Sequence, residues 1–272
     1  MAEDENRFTR QVALFGPEGQ RKIRETRALI VGLGGLGSHL AQQLTFLGVP
    51  DDALVDHDII TGSSRNRVVG SRPADVEEKT PKVDVAERLI LEIDPDATVA
   101  TYPVKLEQAH EAFADRTVVF GCVDNDLVRL QLTELAARHH LPYFDLASDT
   151  GIDNDGEPTY GGRIVFCDGS RCLHCLGLLD QEDIRRASLP EDARRAHDEV
   201  YGIKQSALGE TGPAVVSVNG VVAALAVTEL MGWITGIREP APQLVYYGEK
   251  RLVRRSTDQG DPNCAYCHLW RT

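Results

Sequence analysis

The chain has 272 residues, 42% of them hydrophobic and 26% charged, enough to bury a full core as one large domain or two small ones. Its 29 basic residues against 42 acidic ones give a formal charge of -13, which repels phosphate backbones and anionic headgroups unless basic residues cluster locally. Nucleic acid and membrane surfaces are therefore poor first partners. The acidic, polar start MAEDENRFTR also lacks the features of an export signal, so a cytoplasmic location is expected.

In chain order, residues 27 to 32 form a short apolar run ending in glycine, and residues 36 to 47 switch to helical spacing, which predicts strand, tight turn and helix. A second strand is expected at 53 to 56, a helix at 82 to 93, strands near 97 to 104 and 117 to 121, a helix near 126 to 139 and a strand at 142 to 147. This rhythm predicts a Rossmann-like, mostly parallel sheet with helices on both faces. Beyond Thr150 the pattern changes to a strand at 160 to 167, a cysteine knuckle, a charged, loop-like stretch at 180 to 212, and a hairpin pairing 243 to 247 with 251 to 255. The apolar run from Pro213 to Ile234 approaches membrane-spanning length, but Ser217, Asn219, Thr228 and Glu229 mark it as a buried or dimer-facing helix. The chain is expected to form a single domain over 1-272, with a nucleotide-binding half at 1-150 and a mixed-sheet half at 151-272.

The sequence GLGGLG places Gly32, Gly34, Gly35 and Gly37 between the first strand and helix, where missing side chains allow a tight turn and let an anion reach helix N-terminal N–H groups. Asp56 follows Gly37 by 19 residues, at the end of the next strand, where a carboxylate can accept from ribose hydroxyls. Alone, this pair fits a nicotinamide or flavin enzyme equally well.

Four of the six cysteines form Cys172-x-x-Cys175 and Cys264-x-x-Cys267, separated by 88 residues. Two such knuckles match the closed tetrahedral coordination of structural zinc, and a reducing compartment argues against paired disulfides. Four thiolates leave no position for water, so this metal is expected to hold the fold.

Taken with these features, Arg7-Phe8-x-Arg10-Gln11, LVDHD at 54 to 58, Arg67 in SSRNR, Lys82 in KTPKV and Asp124 in GCVDN resemble the motifs of the E1-like activating enzymes. That family (ThiF/MoeB/HesA-type) includes the molybdopterin synthase and thiamine sulfur-carrier adenylyltransferases and the eukaryotic ubiquitin-activating enzymes. The resemblance implies adenylation of a C-terminal carboxylate by ATP. It places Asp56 and Asp58 near the ribose and nucleotide, Arg67 and Lys82 on phosphates, and Asp124 on Mg2+, with Asn66 as a further ATP contact. Arg10 would reach the ATP of the neighbouring subunit of a homodimer. The family's S-N-L-x-R is altered here, with Ser64 in place of the asparagine and the leucine lost.

No cysteine lies between Cys175 and Cys264, so the stretch 180 to 212 has no thiolate for an enzyme thioester, and Cys122 and Cys167 read as buried thiols. The implied partner is a small β-grasp ubiquitin-like or sulfur-carrier protein ending in glycine. Sulfur or conjugation would come from a separate donor or conjugating enzyme, because no further domain is expected after the hairpin. Three other readings stand beside this one: an oxidoreductase, a relative adenylating a tRNA carboxylate, and an inactive scaffold.

Overall fold

The computed structural model describes residues 7–153, 155–189 and 214–272. Five short strands, β1 (Arg27–Val31), β2 (Asp51–Val55), β3 (Thr98–Tyr102), β4 (Val118–Gly121) and β5 (Tyr143–Ile152), pair in parallel in the order β3-β2-β1-β4-β5. Their central members are apolar and buried on both faces, as a sheet covered by helices on both sides requires. Continuing from β5, the strands β6 (Pro158–Cys167), β7 (Gln243–Tyr247) and β8 (Leu252–Arg255) add an antiparallel ribbon, so one sheet of eight strands runs through the described residues.

The helices are α1 (Thr9–Arg24), α2 (Gly35–Leu47), α3 (Pro73–Glu77), α4 (Lys82–Ile93), α5 (Asp126–Arg138), α6 (Gln181–Ala187), α7 (Val216–Ile234) and α8 (Ala265–Leu269). Alternation along β1 sorts them. Ala28 and Ile30 face a core shared with α2, α4 and α7, while Leu29 and Val31 face one shared with α5 and the cysteine knuckles. By length and hydropathy α7 could cross a membrane, yet half of its apolar window is buried. Its Glu229 is also buried, paired with Arg238 at 2.6 Å and accepting the Ala241 N–H at 2.7 Å.

The structure corrects the expected boundaries at several points. β1 ends at Val31 and β2 at Val55, so Gly32 and Asp56 both stand just past their strands. β5 runs on to Ile152 because β6 pairs with it along its whole length, well beyond the reach of β4. The kinked helix α1 has no counterpart in the sequence reading, and α7 begins at Val216. The charged stretch expected to be loop-like holds α6, capped by Asp180, whose carboxylate accepts from Glu182 and Asp183 N–H. Residues 190 to 212 of that stretch, with Arg195, His197 and Lys204, lie outside the described residues.

Candidate active site

The strand order reverses between β1 and β4, and a cavity of about 610 Å³ opens there, outside the carboxyl ends of the strands. That volume falls in the range typical of small-molecule sites, roughly 300–1,000 Å³. One wall is the glycine turn. Gly32 has φ +90°, and an added Cβ would lie 2.7 Å from the Cys122 carbonyl oxygen, so only glycine fits. Gly37 is buried against Gly32, where a side chain would overlap the Gly32 carbonyl, and it does not line the cavity. Gly34 is open, with nothing near an added Cβ. Gly34 also precedes α2, whose first turn has neither an acidic residue nor a side-chain cap. Its N–H groups and positive dipole end therefore face the cavity ready for an anion.

Asp56, buried at the end of β2, ties the two loops together. Its Oδ2 accepts the Leu33 N–H at 2.6 Å and its Oδ1 the Asp58 N–H at 2.8 Å. Burial pushes its pKa up, with Lys82 pulling the other way. Lys82 reaches this point because residues 59 and 60 zip against 80 and 81, through an Ile59–Pro81 bridge and a 2.8 Å bond from the Ile60 N–H to the Thr80 carbonyl. Lys82 Nζ then lies 2.7 Å from Asp58 Oδ2 and 3.9 Å from Asp56 Oδ2. Burial tends to raise the pKa of Asp58, but the bond from Lys82 together with the charges of Lys82 and His57 outweighs it and holds the group below the ordinary carboxylate range.

Arg67 lines the same cavity, its Nη1 donating to the Ser63 carbonyl at 2.8 Å and to Asn66 Oδ1 at 3.1 Å. Asn66, expected on the nucleotide, is exposed outside the cavity lining and serves to hold Arg67. Ser64 does not line it either. Its buried hydroxyl accepts the Thr61 N–H at 2.9 Å and donates to the Thr61 carbonyl at 3.0 Å, which fixes the turn that carries Arg67.

Across the cavity, Asp124 is exposed on the loop after β4. Asn125 caps α5 by accepting the Val128 N–H at 3.1 Å, so the neighbouring Asp124 is left for the cavity. Beneath it, the buried Arg129 bonds to the Val123 carbonyl, to Asp145 Oδ1 at 2.5 Å and to the Leu146 carbonyl at 3.3 Å. Tyr143 adds a 2.9 Å bond to the same carboxylate. This network sets the Asp124 loop, and the sequence reading missed it. Cys122 borders the cavity, but burial, reinforced by Asp145, pushes its thiol well above the ordinary value, as burial also does for Cys167 in β6. Neither is poised as a nucleophile.

Arg10 stands apart. It is exposed on the first turn of α1 and does not line the cavity of its own chain. Its motif neighbours dock the helix: Arg7 pairs with the buried Asp94 at 3.1 Å and donates to the Thr45 carbonyl at 3.0 Å, Phe8 is buried against Gly48, and Gln11 reaches the Phe46 carbonyl at 3.1 Å.

At the far side of the sheet, the sulfurs of Cys172, Cys175, Cys264 and Cys267 all lie within 4.8 Å of one another, and none is disulfide-bonded. Cys172 is 3.7 Å from Cys264 and 3.9 Å from Cys175, and Cys175 is 3.8 Å from Cys267. Four sulfurs about 2.3 Å from one tetrahedral ion stand about 3.8 Å apart, whereas a disulfide needs about 2.05 Å. The cluster fits a bound metal. His174 and His268 are not part of it.

A helix-covered sheet with an uncapped glycine turn at its topological switch point, facing Arg67, Lys82 and the carboxylates of Asp56, Asp58 and Asp124, defines a nucleotide-binding enzyme of the activating type. The model of the ThiF family matches residues 8–266, and the chain belongs to this family of E1-like activating enzymes. It is 30% identical over 269 residues to the sulfur carrier protein ThiS adenylyltransferase of Bacillus subtilis, covering 95% of this chain and 71% of that protein. It is 33% identical over 181 residues to the molybdopterin-synthase adenylyltransferase of Escherichia coli, covering 65% of this chain and 70% of the relative. Among solved structures, E. coli MccB with ATP superposes with a TM-score of 0.70 at 18% identity, over 96% of this chain and 74% of that one, which establishes the shared fold.

Proposed function

We propose that the chain adenylates the C-terminal carboxylate of a small protein with ATP. A carboxylate oxygen forms a bond to the α-phosphorus as the bond to the β-phosphate oxygen breaks, and pyrophosphate leaves. The observation that carries this reading is the meeting, in one cavity, of an uncapped helix N-terminus with Arg67, Lys82 and Asp124 from three separate segments. Two anions approach and a third departs, so preorganised cations and backbone donors are what the reaction needs. The relatives' names, sulfur carrier protein adenylyltransferase and molybdopterin-synthase adenylyltransferase, support a small-protein substrate.

In this reading Asp56 and Asp58 hold the ribose, the α2 N-terminus and Arg67 the phosphates, and Asp124 a Mg2+ ion that neutralises phosphate charge. Lys82 moves between Asp58 and the triphosphate. Arg10, exposed and rigidly mounted, serves the site of a second copy in a homodimer. Zinc in the four-cysteine cluster holds the knuckles and takes no part in the chemistry. The whole chain acts as one cytoplasmic adenylation unit. The partner is a β-grasp protein ending in glycine, and the acyl-adenylate passes to a separate sulfur donor or conjugating enzyme without an enzyme thioester.

ATP–pyrophosphate exchange tests this directly. Exchange should appear with a β-grasp protein carrying its terminal glycine and vanish when that glycine is deleted. Exchange that ignores the deletion, or none with any such protein, would overturn the partner assignment.

A further inference from the structure

Asn219 closes the first turn of α7, within an apolar run, and is only 2% exposed. Its side chain makes no hydrogen bond among the described residues. Its amide is not sealed in the core but opens onto the cavity, and asparagine is a poor helix residue, so neither packing nor propensity accounts for it. The side chain borders the active-site cavity and lies directly over Gly35, where an added Cβ would overlap its Nδ2 and stand 3.0 Å from its Cγ. Beside it is Arg67, whose Cδ would be 3.3 Å from the same Cβ.

Three sources of donors thus gather where α2 begins and line one cavity: its first-turn N–H groups, Arg67 and the Asn219 amide. We propose that Asn219 is a phosphate-binding residue and that this trio forms the subsite for the β- and γ-phosphates, the pyrophosphate that leaves. The inference deepens, and rests on, the reading of the cavity as an ATP site. Asp56 and Asp58 fix the ribose end of that cavity at the β2 terminus, so the donors beside Arg67 serve the phosphates that AMP lacks. With no protein partner to fix it, the amide is free to turn its NH2 toward phosphate oxygens. It adds a hydrogen bond without adding charge, which suits a group that must also be released.

Binding of ATP and AMP to the full chain, measured by calorimetry, tests this, with thermal melting of the nucleotide-free protein as the fold control. Asn219→Ala should weaken ATP by roughly 10-fold or more, the scale of a lost bond to a charged group, while AMP changes less than about twofold. Asn219→Asp, which keeps the shape and packing, should weaken ATP further by setting a carboxylate against the phosphates. Unchanged ATP affinity in both variants, or equal losses for ATP and AMP, would overturn the inference alone. A wild-type chain that binds neither nucleotide would overturn the ATP reading and the inference with it.

Discussion

Lys82 occupies the first position of α4, where the helix dipole disfavours a cation, and its charge is balanced instead by Asp58 and Asp56. Helix stability alone would not select a lysine there, which is why its motif was informative from sequence. Asp52 raises the opposite problem. It is fully buried in β2, neither carboxylate oxygen has a hydrogen-bond partner, and burial pushes its pKa up to about 8, helped by Asp51 and opposed by Arg116. The folded chain therefore keeps a proton that the unfolded chain loses near the ordinary value of 3.8. Stability should fall as pH rises between those limits, on the order of 1 kcal/mol per pH unit, and level off above about pH 8. Asn is isosteric and does not titrate, so melting curves of Asp52→Asn should gain on wild type between pH 5 and pH 8; a constant difference across that range would refute the argument. Residues of the motifs were readable one by one because each carries charge or lacks a side chain. Asn219 was not, since an apolar run gives no sign of which member faces a cavity. Nor was the service of Ser64 to its own turn, because a local bond leaves no spacing signature.

Elements were legible where one physical rule governed them. The parallel strands showed as short apolar runs and α4 as an amphipathic period, while α1 went unseen because Gly16, with φ +75°, and Pro17 break its period in the middle. What holds α1 is tertiary. Arg7 and Arg24 both pair with Asp94, at 3.1 and 3.5 Å, and Arg7 also covers the Phe8 ring at 5.0 Å. Arg7→Ala should lower stability by about 1–3 kcal/mol, because it removes one partner of a buried carboxylate and a bond to the Thr45 carbonyl. Denaturant melts would show it.

For the whole molecule, the alternation of strand and helix before residue 150 was enough to predict the parallel half, though not the strand order that opens the cavity, and cysteine spacing predicted the cluster. The joining of the two halves was not readable. It depends on β5, which pairs in parallel with β4 over Tyr143–Asp145 and antiparallel with β6 over Tyr143–Ile152, and no local pattern encodes a strand's second neighbour. The knuckles dock on the α5 side of that sheet, where Trp270 donates to the Leu141 carbonyl at 2.9 Å and His140 meets the Trp270 carbonyl at 3.1 Å. Chelation should therefore release one metal ion per chain and lower the melting temperature. The nucleotide-binding turn, built in the other half, should still bind ATP at low temperature; loss of binding in step with metal release would show that the metal is not purely structural. At its ribbon end the sheet stops, among the described residues, at β8, all four of whose residues are exposed, with Arg254 and Arg255 following Leu252 and Val253. A strand edge left unpaired is a template on which another chain can add, and the apolar Leu252 and Val253 alone would not oppose it. Two adjacent arginines put a positive charge on each face of that edge, so a copy added parallel and in register meets like charges. The outermost described strand thus carries charge that works against edge-to-edge addition of a second copy.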